Sequence, residues 1–179
     1  IGDSAFENCT ALQSVTIGNN VTTIGDNAFS ATALTSVTIP GSITSLSSSF
    51  SRCASLETVI IEDGASDIGQ YTFDSCTALT SVTIGNAITY LAGFEGCTAL
   101  TTITIPSTVR TIGTVAFNGC SALTTVTIEN GVTEIGDIAF QDCIALETIT
   151  IPDSVTTIGD NAFKECTALA SAPIPDSVT

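Results

Sequence analysis

A period of about 23 residues constrains this chain more than any other feature of its sequence. All eight phenylalanines share one register, at Phe6, Phe29, Phe50, Phe73, Phe94, Phe117, Phe140 and Phe163. The unit around each of them reads I-G-D-x-A-F-x-x-C-x-x-L-x-x-V-x-I-P-x-x-x-V. Eight copies fill the 179 residues, so the fold has to be built by stacking similar units.

Two segments of each unit have a recognisable local pattern. The V-x-I segment alternates with period two and is rich in β-branched residues, which predicts a short strand. Upstream, Ala5, Cys9 and Leu12 have the i, i+4, i+7 spacing of a helix face. An aspartate stands where the N-cap of that helix would be, at Asp3, Asp26, Asp137 and Asp160. We therefore predict one short strand and one short helix or turn per unit.

A unit of this size cannot bury its own apolar face, so neighbouring units must stack their strands in parallel. The predicted fold is an α/β solenoid of about eight coils. A parallel β-sheet with one short strand per coil forms one side, and short helices or turns form the other. The core consists of stacked columns of Ile, Phe, Cys, Leu and Val.

These motifs resemble those of a known family. L-x-x-V-x-I matches the leucine-rich repeat strand L-x-x-L-x-L, and I-G-x-x-A-F-x-x-C-x-x-L is similar to the BspA-type subclass of bacterial and protist surface proteins. The resemblance covers the whole chain and implies a right-handed leucine-rich repeat solenoid. It also implies a cell-surface or extracellular location, adhesion to cells, and binding of extracellular matrix proteins.

Several repeats depart from the consensus. Repeat 2 has no cysteine after Phe29, repeat 3 is one residue short before Phe50, and repeat 5 is two residues short before Phe94. We expect the helical segment to tighten into a turn there, because loops absorb length changes easily. In repeat 8, Pro173 interrupts the strand and makes its outer edge a poor template for pairing.

The charge balance excludes some classes of function. With 3 basic and 18 acidic residues, the net charge of −15 cannot neutralise a row of phosphates, so we predict no nucleic-acid partner. No apolar run approaches the roughly 20 residues of a membrane span. Because histidine is absent and a uniform repeat offers no deep pocket, we predict no enzymatic activity and no cofactor.

The cysteines and carboxylates are the remaining candidates for chemistry. Seven cysteines occupy one repeat position without any C-x-x-C pair, which favours a column of buried, reduced thiols; a redox or metal role is the alternative. The carboxylates of Glu129, Glu134, Asp137 and Asp142 lack the D-x-D-x-D-G spacing of a calcium loop. We interpret them as a solvated acidic face, with weak calcium binding as the alternative.

The outward strand positions are the best candidates for a binding surface. They are free of packing constraints and should line up across coils on a concave face. The predicted face consists of Ser36, Thr38, Thr58, Ile60, Ser81, Thr83, Thr102, Thr104, Thr125, Thr127, Thr148 and Thr150. Strand propensity and solubility would also select threonine there without any ligand. Such a flat surface suits an extracellular protein or glycan better than a small metabolite.

Two N-x-[ST] sequons, at Asn8 and Asn20, are candidate N-glycosylation sites in a eukaryotic secretory pathway. Cys9, the middle residue of the first sequon, belongs to the predicted core column, which restricts access. Asn20 is therefore the better acceptor.

Two functional classes follow from the repeats. One is an adhesion or protein-binding module that uses the Ser/Thr face. The other is a structural protein that assembles end to end through its coil ends into filaments or an extracellular layer. We expect residues 1–179 to form a single domain, uncapped at both ends and part of a longer chain, because uncapped ends expose apolar cross-sections.

Overall fold

The computed structural model describes residues 1–66 and 68–179, and within them the chain forms twelve short strands and no helix. In chain order the strands are β1 (Thr23–Ile24), β2 (Ser36–Ile39), β3 (Ser45–Leu46), β4 (Thr58–Ile61), β5 (Ser81–Thr83), β6 (Tyr90–Leu91), β7 (Thr102–Ile105), β8 (Thr111–Ile112), β9 (Thr125–Ile128), β10 (Glu134–Ile135), β11 (Thr148–Thr150) and β12 (Thr157–Ile158). The six strands of three or four residues contain the V-x-I segments and are called the long strands below.

All strand pairing is parallel and joins equivalent positions of neighbouring repeats. The long strands form two ladders, β2-β4-β5 and β7-β9-β11. The two-residue strands form the ladders β1-β3 and β6-β8-β10-β12, and an isolated bridge pairs Ile68 with Leu91. Val59 pairs with Val37 on one side and with Val82 on the other, so each repeat position forms a column. The predicted leucine-rich repeat solenoid with a parallel sheet is confirmed.

The phenylalanines form the central column of the core. Neighbouring rings stack with centroids 5.0 to 5.7 Å apart. The six rings from Phe29 to Phe140 are completely buried. Aliphatic columns pack around them, because the long strands alternate exposed and buried side chains. This register lets every repeat bury the apolar face of its neighbour.

The predicted short helices are wrong, because left-handed residues flank every phenylalanine. Val115 and Gly119, two residues before and after Phe117, have φ angles of 54° and 71°, whereas a helix needs negative φ. The Phe117 N–H donates to the carbonyl of Ala139 in the next repeat, at 2.8 Å. The segment is therefore a series of tight turns, with hydrogen bonds both within the repeat and to the next repeat.

Two of the four aspartates predicted as N-caps, Asp3 and Asp137, bond to neighbouring repeats through their side chains. Oδ1 of Asp3 accepts the N–H of Asp26 at 3.0 Å, and Oδ1 of Asp137 accepts the N–H of Asp160 at 2.8 Å. These side chains join the same position of adjacent repeats instead of capping a helix.

About six turns carry a long strand, not the eight expected. Residues 14–17 and 171–174 are not strands, although Phe6 and Phe163 continue the ring column. Pro173 has no N–H to donate to a ladder. At the other end, the bond from the Thr35 N–H to the Gln13 carbonyl is long, at 3.4 Å.

We expect Phe117→Ala to lower the free energy of unfolding by roughly 3 to 5 kcal/mol, because it leaves a cavity in the middle of the ring column. Phe6→Ala is the matched control, since the Phe6 side chain is 42 % exposed and stacks on one neighbour only. Urea unfolding followed by circular dichroism measures both. Equal losses for the two variants would contradict the proposed role of the column.

Candidate binding face

The outward side chains of the six long strands form two parallel columns, which we call the long-strand face. One column contains residues 36, 58, 81, 102, 125 and 148, and the other contains residues 38, 60, 83, 104, 127 and 150. These are all twelve residues of the predicted face. Eleven are exposed, and Thr58 is half-buried.

The strand register sets the spacing of the face. Thr102 and Thr104 pair with Thr125 and Thr127, so neighbouring hydroxyls follow the strand separation of about 4.8 Å. A hydroxyl both donates and accepts hydrogen bonds. The face therefore presents uncharged, regularly spaced donors and acceptors, with Ile60 as its one apolar side chain, 41 % exposed.

A cavity of about 290 Å³ lies at the edge of the face, beside β2. It opens where residues 15–17 do not pair with β2, and its polar lining includes Asn19, Ser36, Thr38 and Glu62. The Glu62 carboxylate accepts a hydrogen bond from the Gly41 N–H at 3.3 Å. The repeat pattern could not predict this cavity, because residues 14–17 match the strand consensus.

The thiol column is mostly buried. Five of the seven cysteines have no exposed surface, Cys166 is half-buried and Cys9 is exposed, so the prediction of a buried thiol is wrong for Cys9. The first repeat has a neighbour on one side only, which leaves Cys9 uncovered. All seven thiols are free.

Each thiol from Cys53 onward donates to the phenylalanine carbonyl of the preceding repeat, at 3.1 to 3.3 Å. In repeat 2, Thr32 occupies the cysteine position, and its hydroxyl donates to the carbonyl of Phe29 at 2.9 Å. Burial raises the pKa of Cys120 to about 12 and also raises the pKa of Cys97. Cys97 and Cys120 are therefore poor nucleophiles, because the reactive form of cysteine is the thiolate.

The carboxylates do not converge on one point. Among residues 1–66 and 68–179, no group of three or more His, Cys, Asp or Glu side chains could hold a metal ion. Burial, followed by the neighbouring Glu95, raises the pKa of Asp74. Glu95 in turn accepts a hydrogen bond from the side-chain amide of Asn118 at 2.9 Å.

Both sequon asparagines, Asn8 and Asn20, are exposed. The Asn8 N–H donates to the Ser30 carbonyl at 2.9 Å, which holds that turn against the next repeat. Asn20 lies in a turn between residue 17 and β1. Their glycosylation remains a prediction.

A search for membrane spans over residues 1–66 and 68–179 finds no helix of the required length and apolar character.

A family model described as a BspA type Leucine rich repeat region matches residues 1–93 and 92–179, with six copies. No curated protein sequence matches the chain significantly.

Solved structures with the same architecture come from several bacteria. A leucine-rich repeat protein of T. pallidum is 29 % identical, with a TM-score of 0.70 over 75 % of this chain and 67 % of that one. A leucine-rich repeat protein of Eubacterium ventriosum (21 % identical, TM-score 0.52) aligns with 99 % of this chain and 64 % of its own. A leucine-rich cell surface protein of Faecalibacterium prausnitzii (24 %, TM-score 0.48) aligns with 94 % and 61 %. The chain thus spans about two thirds of their length.

We expect an alkylating reagent to label Cys9 fastest in the native protein and Cys166 next. The five fully buried thiols should react only after unfolding, because they are inaccessible and hydrogen-bonded. Mass spectrometry of the labelled peptides measures each site, and unfolded protein is the control. Rapid labelling of most cysteines in the native protein would contradict the buried column.

We expect Asp74→Asn to raise the thermal midpoint at pH 7. A folded-state pKa above the unfolded value means that the stabilising contribution is present at low pH and is lost as pH rises through the folded pKa. The gain should therefore disappear below about pH 3.9, the ordinary pKa of aspartate. Asp153→Asn removes the same charge at an exposed position and is the control. An equal gain in both variants would show a general charge effect instead.

Proposed function

Because the chain belongs to the BspA-type leucine-rich repeat family, we propose that it is a cell-surface or secreted binding module that attaches to an extracellular protein or glycan. The long-strand face is the proposed contact surface. The observation that carries this proposal is the pair of exposed columns, with eleven hydroxyls and Ile60 free of core packing.

The chemistry of the face supports a large partner. Its two columns contain no charged side chain, although the net charge of the chain is −15. Contacts there would be numerous, shallow and polar, as in the extended binding surfaces of other solenoids. A small metabolite would need a deeper, mainly apolar pocket.

The properties of the cysteines, and the absence of histidine, are consistent with a binding role without catalysis. The sequence has no histidine to activate a nucleophile, and its buried thiols donate to backbone carbonyls. The raised pKa of Cys120, about 12, keeps that group protonated at neutral pH.

We expect the triple variant Thr83→Lys, Thr104→Lys, Thr127→Lys to abolish attachment while leaving stability nearly unchanged. The three side chains point into solvent in the middle of the face, and lysine would add bulk and charge where a neutral partner surface docks. Binding to a panel of immobilised extracellular matrix proteins and glycans is the measurement, with the thermal midpoint recorded for each variant.

The matched control places the same three charges on the turn side of the solenoid. Thr77, Thr98 and Thr167 are also exposed threonines, so replacing them with lysine changes the net charge equally. This control should keep full binding. Loss of binding in both triple variants would indicate a general effect of charge. Retention of binding in both would show that the contact surface lies outside the long-strand face.

A further inference from the structure

The long-strand ladder is interrupted once between strand-bearing repeats, at the junction of repeats 4 and 5. β5 belongs to repeat 4 and β7 to repeat 5, yet they lie in separate ladders. The first residues of β4, β5, β9 and β11 donate back to the preceding repeat, as Thr125 does to the Thr101 carbonyl at 3.4 Å. Within the described residues, Thr102 makes no such bond to repeat 4.

Core residues are uncovered at the same junction. Val82 and Ile84, the inward side chains of repeat 4, are partly exposed, whereas their equivalents in repeat 3, Val59 and Ile61, are buried. The equivalents in repeats 2, 5, 6 and 7 are buried as well. The missing hydrogen bonds therefore accompany a real opening on the long-strand side.

The ring column is tilted around repeat 4. The Phe50–Phe73 and Phe73–Phe94 pairs have interplanar angles of 15° and 19°. The other five neighbouring pairs lie between 2° and 5°. The tilt is thus confined to the two ring pairs that include Phe73, and the rings on either side of repeat 4 are stacked nearly parallel.

The turn side of the junction stays closed. The Phe73 N–H donates to the Gly93 carbonyl at 2.8 Å, and the Ser75 N–H donates to the Glu95 carbonyl at 2.7 Å. The bridge between Ile68 and Leu91 also crosses it. Hydrogen bonding between repeats 4 and 5 is therefore kept on the turn side, whereas contact between β5 and β7 is reduced compared with the other long-strand neighbours.

The two-residue deletion of repeat 5 lies on the turn side of the same junction, between Leu91 and Phe94. The backbone at Gly93 passes close to repeat 4. A Cβ there would lie 2.6 Å from the Gly69 carbonyl oxygen, and the φ of 88° also requires glycine. Restoring the two residues tests whether the deletion causes the open ladder.

We propose that the junction of repeats 4 and 5 is a hinge between two stacks, repeats 1–4 with the ladder β2-β4-β5 and repeats 5–8 with the ladder β7-β9-β11. The stacks rotate about the closed turn side, which opens or closes the angle between β5 and β7. The motion changes the curvature of the long-strand face without breaking either three-stranded ladder. The hinge does not depend on which partner the long-strand face binds.

Amide hydrogen exchange tests the open ladder in the native chain. We expect the Thr102 N–H to exchange at least about tenfold faster than the equivalent Thr125 N–H, because an unpaired amide exchanges through low-energy local openings. Residue-resolved NMR measures both rates in one sample. Equal protection of the two amides would overturn the proposal.

Restoring the deleted residues tests the cause and the motion. Inserting Asp-Asn between Ala92 and Gly93 should slow hydrogen exchange of the Thr102 N–H to the rate of the Thr125 N–H. The control is the same insertion after Asp63, which lies in an exposed turn of repeat 3. Spin labels are attached to cysteines introduced at positions 36 and 148 in a Cys9→Ser, Cys166→Ser background. The two positions lie roughly 24 Å apart at about 4.8 Å per strand.

We expect a broad label-to-label distance distribution in the native chain and in the control, and a narrow one after the insertion at Gly93. Equally narrow distributions in all three chains would contradict a hinge and leave a static bend. The hydrogen-exchange comparison uses only the native chain. It therefore tests the open ladder even if the variant with the insertion does not fold.

Discussion

The stacking of equivalent residues in register is the constraint on which the rest of this structure depends. Rings 5.0 to 5.7 Å apart can stack only if each repeat presents its phenylalanine at the same height as its neighbour. The strand pairs, the carboxylate of Asp137 on the Asp160 N–H, and the thiols on phenylalanine carbonyls all repeat with that spacing. Backbone polar groups are satisfied by neighbouring repeats, as buried backbone groups require.

The columns of the core and of the long-strand face could be predicted from the sequence, because successive side chains in a strand point to opposite faces of the sheet. The conformation of the turn side could not be predicted. Ala5, Cys9 and Leu12 have helical spacing, yet in the middle repeats turns that contain residues with positive φ bring the equivalent positions inward. The left-handed positions carry Ser4, Val115 or Ile138 as readily as glycine, so no composition signal marks them.

Features that arise where two repeats meet could not be predicted from the sequence either. Residues 14–17 match the strand consensus, and the cavity beside β2 exists because they remain unpaired. The ladder break lies at the same junction as the deletion before Phe94, for which the sequence predicted a local turn only.

The left-handed turns have a consequence for how such a chain can lengthen or shorten. The N–H of Phe117 is satisfied by Ala139 in the next repeat, so a repeat depends on its neighbours for part of its backbone hydrogen bonding. Duplication or loss of one complete unit preserves every interface, because each new neighbour presents the same carbonyls at the same height. A change of one or two residues alters the geometry of the interface instead. Whole units are thus the natural increments by which a gene for this architecture can vary.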